Sequence, residues 1–183
     1  MNKFAVAVAG LPTSGKTTLG NAIAKAMGIH FVDIDAGPVA CGPPQEPNPY
    51  QSDQSKVRER ARMTVAYRTL HAAVGANLTE GFSLVLSATY SRHSNQDFLV
   101  EAVRRGGGEL KMILCQYRDT EEEVSRRVEE RLMRGAVGGC RSVSHYFDDK
   151  SRYEGINIPH IVVTTDGGVD SALSQALAYI QEP

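Results

Sequence analysis

Gly10-Leu-Pro-Thr-Ser-Gly15-Lys16-Thr17 sets two glycines five residues apart and follows the second with a lysine and a threonine. The spacing fits G-x-x-x-x-G-K-[ST], and the chemistry it suits is the holding of a polyphosphate. A triphosphate is a dense anion, held by backbone N–H groups that converge only where glycine lets the chain curl tightly. Gly10 and Gly15 supply that freedom, and Pro12, Thr13, Ser14 and Thr18 complete or flank the curl. Lys16 is expected to contact the β- and γ-phosphates of ATP, and the Thr17 hydroxyl to coordinate magnesium.

A second set of groups follows at Asp33-Ile34-Asp35. Side chains alternate along a strand, so both carboxylates point to one face and can serve one site. Asp35 is expected to take the proton of an attacking hydroxyl and Asp33 to help hold the metal through its water shell; both count as acceptor-side residues. The competing reading of Asp35 is a carboxylate that caps a turn before Gly37. Arg127 and Arg131 lie four apart on a predicted helix and share a face, with Arg134 one turn further. Their guanidinium groups suit phosphate oxygens. The nearby Glu121, Glu122, Glu123, Glu129 and Glu130 leave open an ion-paired surface helix instead. Arg92 follows a predicted strand where its carboxyl end meets a cleft, and is open between an acceptor role and a structural one. Lys56, Arg58, Arg60, Arg62 and Arg68 form a basic run that reads either as a solvated helix face or as a holder of an anionic acceptor.

The elements that must position these groups alternate regularly. Phe4–Ala9 reads as a buried strand, a helix runs from about Gly15 to Met27, and Ile29 to Ile34 is a second strand. Helices are predicted at about 53 to 78, 94 to 105, 120 to 134, 143 to 151 and Val169 to Ile180. Strands are predicted at 82 to 88, 110 to 116 and Pro159 to Thr164. Five strands alternating with helices make a single three-layer α/β domain over 1–183 with a parallel sheet. Two stretches interrupt the rhythm. Residues 36–55 carry five prolines and read as an acceptor-side loop or a plain connector. About 134–150, opening with Arg134-Gly-Ala-Val-Gly-Gly-Cys-Arg141, reads as a lid-like segment or as a helix end and turn.

Composition narrows the rest. A net charge of -1 lacks the global positive field of a non-specific nucleic-acid binder and leans toward a small acceptor. Three cysteines without C-x-x-C spacing and five histidines without ligand spacing predict neither a zinc site nor a redox pair. No apolar run is long enough to cross a bilayer, and a cytoplasmic location is expected. There is no G-x-S-x-G elbow and no N-K-x-D, which sets aside a serine hydrolase and a GTPase switch.

The stretch Gly10 to Asp35, GLPTSGKTTLGNAIAKAMGIHFVDID, resembles the opening of small-molecule P-loop kinases such as shikimate and gluconate kinases. Glu80-Gly81 before Ser83–Thr89, then Ser91-Arg92, then Arg127-x-x-x-Arg131, resembles the predicted-kinase group of AAA type that includes polynucleotide kinase and zeta-toxin relatives. The resemblance implies a P-loop NTPase fold, adenylate-kinase-like, with a five-stranded parallel sheet flanked by helices. It also implies ATP and magnesium at Lys16 and Thr17, the acceptor hydroxyl at Asp35, and phosphates at Arg127 or Arg131. The chain departs from its relatives at Ser87, where an aspartate is common in the third strand, and at Pro38, where many carry an arginine. The expected activity is transfer of the γ-phosphoryl group of ATP to a hydroxyl of a small-molecule acceptor. The alternatives are a polynucleotide 5'-hydroxyl kinase and a nucleotide-dependent switch ATPase without an acceptor.

Overall fold

The computed structural model describes residues 3–34, 52–135 and 140–182. Asp35, most of the proline-rich stretch and residues 136–139 lie outside the described residues, and with them the expectations placed there. In chain order the elements are β1 (Phe4–Ala9), α1 (Lys16–Met27), β2 (His30–Asp33), α2 (Asp53–Thr79), β3 (Leu84–Ser87) and α3 (His93–Arg105). They continue with β4 (Glu109–Gln116), α4 (Glu121–Met133), α5 (Val143–Ser151), β5 (His160–Thr164) and α6 (Val169–Gln181).

The predicted alternation is present element for element, and the departures are at the ends. The Ser52 side chain accepts from the Ser55 N–H and starts α2 at Asp53, so the loop expected to run to 55 stops before it. Strand β3 is shorter than the predicted 82 to 88. Gly81, at φ 89°, turns the chain out of α2, and the Phe82 N–H is still bonded to Asn77 O at 2.9 Å.

The strands lie in the order β2-β3-β1-β4-β5, all pairs parallel. Period-two alternation splits β1 between two cores. Ala5, Ala7 and Ala9 pack under α2 and α3 with Leu70, Val74, Leu84, Leu86 and Leu99. Val6 and Val8 face Leu19, Ile23 and Ala176 of α1 and α6. The small alanines leave room for the 27-residue α2 to cross close to the sheet. Chain order reverses about β1, which has β3 on one side and β4 on the other, so the loops diverge at its carboxyl end and open a crevice there. A third small core joins Val124, Val128, Cys140 and Tyr146 to Leu11 and thereby seats α4 and α5 against the loop that follows β1. Among the described residues no helix is long and apolar enough to cross a membrane.

Candidate active site

The loop from Gly10 to Gly15 is a curl held open by backbone conformations that most residues avoid. Gly10 takes φ 147°, and a Cβ built there would stand 2.5 Å from Ser14 Oγ and 2.6 Å from Cys115 O. Thr13 sits at φ 64° despite its branched side chain, a strain of about 1 kcal/mol or more. Its neighbours hold it there: Thr13 Oγ1 and Tyr117 OH are 2.8 Å apart, and Arg127 Nη1 donates to Thr13 O at 3.2 Å. Thr165 Oγ1 donates to Ser14 O at 3.0 Å, so the turn after β5 braces the loop from the other side.

Gly15, at φ 86°, is the N-cap of α1, which has no capping side chain and no acidic residue in its first turn. The helix therefore presents its positive end and its unpaired N–H groups toward the curl, the arrangement that suits a phosphate. The Lys16 side chain is buried and its Nζ lies 3.4 Å from Leu11 O, across the loop. Burial pushes the nearby Cys115 thiol up to about 12, which leaves it neutral and unreactive at ordinary pH.

Asp33 ends β2 in register with Ser87, and its Oδ2 accepts from Thr17 Oγ1 at 2.7 Å. A carboxylate and a hydroxyl oxygen side by side at the start of α1 are hard oxygen donors, and they fit magnesium. The buried Ser87 Oγ has no partner among the described residues, which leaves an acceptor or donor free for a water in a metal's shell.

The two arginines expected on one helix face, either of them a candidate for the phosphates, divide. Arg131 lines a cleft that also contains Pro12 and Lys16. Arg127 lies against the Thr13 backbone, 4.0 Å above the Tyr117 ring, with Glu123 at 2.6 Å and Asp166 at 3.7 Å. Its partners Arg126 and Arg127 hold the Glu123 carboxyl down near 2. Arg134 is 77% exposed at the end of α4 and reaches Glu130 at 3.6 Å. Arg126 pairs with Glu123 and Glu130, as the surface reading of that helix expects.

The cleft beside Lys16 holds about 560 Å³, and besides the phosphate loop and Arg131 of α4 its walls come from three separate places. Helix α2 brings Glu59, Arg60, Arg62, Met63 and Tyr67; the start of α3 brings Arg92, Ser94 and Phe98; α5 brings His145, Asp149 and Arg152. The predicted acceptor residue Arg92 is thus at the cleft. Arg62 departs from a solvated basic run: it is 5% exposed and bound to Glu59 through two contacts of 2.8 and 2.5 Å. The α5 residues were not singled out from the sequence. Burial raises the Asp149 carboxyl, while His145, Arg152 and Lys16 oppose the rise. Tyr117 and Thr165 were also missed. Both stand just beyond strand ends, β4 and β5, where parallel sheets place their ligands, and that position was the available signal.

A phosphate curl at the switch point of a parallel sheet, with an oxygen pair beneath it and an organic-sized cleft beside it, defines the small P-loop kinase class. The chain belongs to the AAA_33 family of AAA domains, whose profile it matches over residues 6–138. Its fold is shared by a Chloroflexus aurantiacus J-10-fl protein provisionally classed as a kinase, at TM-score 0.74 and 17% identity, covering 99% of this chain and 100% of that one. A gluconokinase from Sinorhizobium meliloti 1021 aligns at TM-score 0.63 and 22% identity, over 96% and 90%. The Mycobacterium tuberculosis APS kinase, solved with AMPPNP and APS, aligns at TM-score 0.64 and 18% identity, over 99% of both chains. No curated protein matches the chain in sequence.

Proposed function

We propose that this chain is an ATP-dependent phosphotransferase that moves the γ-phosphoryl group of ATP to a hydroxyl of a small-molecule acceptor. One juxtaposition carries the reading: Lys16 belongs both to the phosphate curl and to the wall of the 560 Å³ cleft. A cleft of that size beside the γ-phosphate position suits a second organic ligand, which a switch ATPase does not require.

In the proposed reaction the acceptor oxygen attacks the γ-phosphorus in line with the bond to the β–γ bridging oxygen. The new P–O bond forms as the old one breaks, and the bond's electron pair leaves with ADP. The hydroxyl proton passes to a base, for which Asp35 is proposed. Little covalent chemistry is left for the protein, so catalysis is positioning and charge neutralisation. The curl's N–H groups and Lys16 hold the terminal phosphates. Arg131 in the cleft, Arg127 beside the curl and Arg134 at the end of α4 are the guanidinium groups proposed for the charge that spreads over the moving group. Thr17 and Asp33 would hold magnesium, which would supply charge screening to the triphosphate. Walls contributed by α2 and α5 would exclude the water that competes with the acceptor.

Incubation with γ-labelled ATP, magnesium and a panel of hydroxylated metabolites, with a no-acceptor control, tests the proposal. A labelled acceptor product is expected. Asp35→Asn should cut its formation by about 10²-fold or more while leaving ATP affinity nearly intact. Equal turnover in that variant would contradict Asp35 as the base, and hydrolysis without a transfer product from any acceptor would contradict the phosphotransferase itself.

A further inference from the structure

The whole chain carries a net charge of -1, yet among the described residues that line the cleft seven are Lys or Arg and two are Glu or Asp. Positive charge outweighs negative among them. Some of it is already spent: Arg62 is bound by Glu59, and Arg152 by Asp149 at 3.0 Å. Arg60 on α2 and Arg92 ahead of α3 are different. Neither has an acidic partner among the described residues, and they reach the same cleft from separate elements.

Arg92 also stands where helix energetics disfavours it. It is the N-cap of α3, makes no capping hydrogen bond with its side chain, and is followed by a first turn without an acidic residue. A cation at a helix N-terminus opposes the macrodipole, and Ser, Thr, Asp or Asn would cap better. Glu154 compensates in part, its Oε2 accepting from the His93 N–H at 2.7 Å. Two guanidinium groups facing one cleft repel each other, and an anion between them reverses the sign of that interaction. The same walls carry an apolar side made of Met63, Tyr67 and Phe98, the last 54% exposed.

We infer that the acceptor is a small hydroxylated organic anion, carrying a phosphate, sulfate or carboxylate group, with Arg60 and Arg92 binding that group and Met63, Tyr67 and Phe98 covering its carbon frame. The inference rests on the phosphotransferase reading and narrows its substrate class. The reaction is the one already described, and the anionic group is a handle that is unchanged by it. The volume of about 560 Å³ suits a metabolite, whereas a polynucleotide needs an extended basic track.

The test uses matched acceptors that differ only in the handle: glucose with glucose 6-phosphate and gluconate, glycerol with glycerol 3-phosphate and glycerate, adenosine with adenosine 5'-phosphate. Transfer from γ-labelled ATP is measured for each pair. In at least one pair the anionic member is expected to have a kcat/KM at least about tenfold above the neutral one, the size of one charge-assisted contact. Arg60→Gln and Arg92→Gln should each erase most of that preference by raising the acceptor KM while the KM for ATP stays put. A preference for neutral members, a preference that survives both substitutions, or transfer only to 5'-hydroxyl oligonucleotides would overturn the inference. Calorimetry separates its failure from that of the kinase reading. With a non-hydrolysable ATP analogue bound, the same anions are titrated into the wild type and both variants. Arg60- and Arg92-dependent binding without any transfer would keep the anion site and remove the kinase; transfer to neutral acceptors with no such binding would do the reverse.

Discussion

Thr17 and Asp33 are sixteen residues apart in the chain and 2.7 Å apart in space, and that contact gives the phosphate loop its acidic neighbour. Asp33→Asn keeps a hydrogen-bond acceptor there but removes the negative charge. If the pair holds magnesium, the magnesium concentration needed for half-maximal nucleotide-dependent activity should rise about 10- to 100-fold, with nucleotide affinity in the absence of metal little changed. A magnesium titration of activity with that variant checks it, and an unaltered midpoint would leave Asp33 a plain hydrogen-bond partner of Thr17. At this scale the loop was legible because its groups are contiguous: Gly10, Gly15, Lys16 and Thr17 carry their own spacing. Thr13 was readable as a loop residue but its left-handed backbone was not, since what sustains it is Tyr117 and Arg127, about a hundred residues away. Arg127 and Arg131 were correctly placed on one helix. Their division between the Thr13 backbone and the cleft depends on how α4 docks, which periodicity does not encode.

Among the elements, α2 does two tasks. Its buried face carries Leu70, His71, Val74 and Leu78 into the core, and its first half walls the cleft. His71 is the costly member. It is 5% exposed, its ring stacks 6.0 Å from that of Tyr90, and its Nε2 lies 3.4 Å from Tyr90 OH. Burial lowers its pKa from 6.5 to about 4. The sign follows from proton counting: below pH 6.5 the unfolded chain takes up a proton that the folded one refuses. Stability from this group is therefore complete above pH 6.5 and is lost as the pH falls toward 4, by about 3 kcal/mol in all. Urea titrations at pH 7 and pH 4.5 should show that loss in the wild type and a much flatter dependence in His71→Gln. The same slope in both proteins would place the titrating group elsewhere. Glu101 and Glu123, held near 2 by their arginines, lose their contribution mainly below pH 4.5, and the comparison with His71→Gln cancels the small part already lost there. The extent of α2 was legible from its sequence almost to the residue, because the prolines end at Pro49 and a long run without proline follows. Of the basic run left open between a solvated face and an acceptor holder, Arg62 fits the solvated face least, since its Glu59 partner satisfies it well enough for burial. Helix α5 was foreseen as an element, but its His145, Asp149 and Arg152 were not foreseen as cleft residues. Their facing is set by the small core of Tyr146, Cys140 and Leu11, which only the folded chain assembles.

For the molecule as a whole, alternation of strands and helices was enough to predict three layers and a parallel sheet, because parallel strands need crossovers and crossovers need helices. Strand order was not legible. It follows from which β-face each helix covers, and it decides the function: reversal about β1 puts the phosphate curl, the end of β2 and the start of α3 at one crevice. A net charge of -1 had leaned toward a small acceptor over a polynucleotide, but a total does not say where the charges stand. Among the described residues lining the cleft, Lys and Arg outnumber Glu and Asp by seven to two. Everything proposed for the chain depends on the curl taking up a triphosphate. Calorimetric titration of magnesium and a non-hydrolysable ATP analogue into the wild type and Lys16→Ala, both checked for folding by circular dichroism, measures this most directly. A single saturable site is expected in the wild type, weakened by about 10²-fold or more in the variant through loss of a buried ammonium at the phosphates. No uptake by the wild type, or equal affinity in the two proteins, would contradict the account.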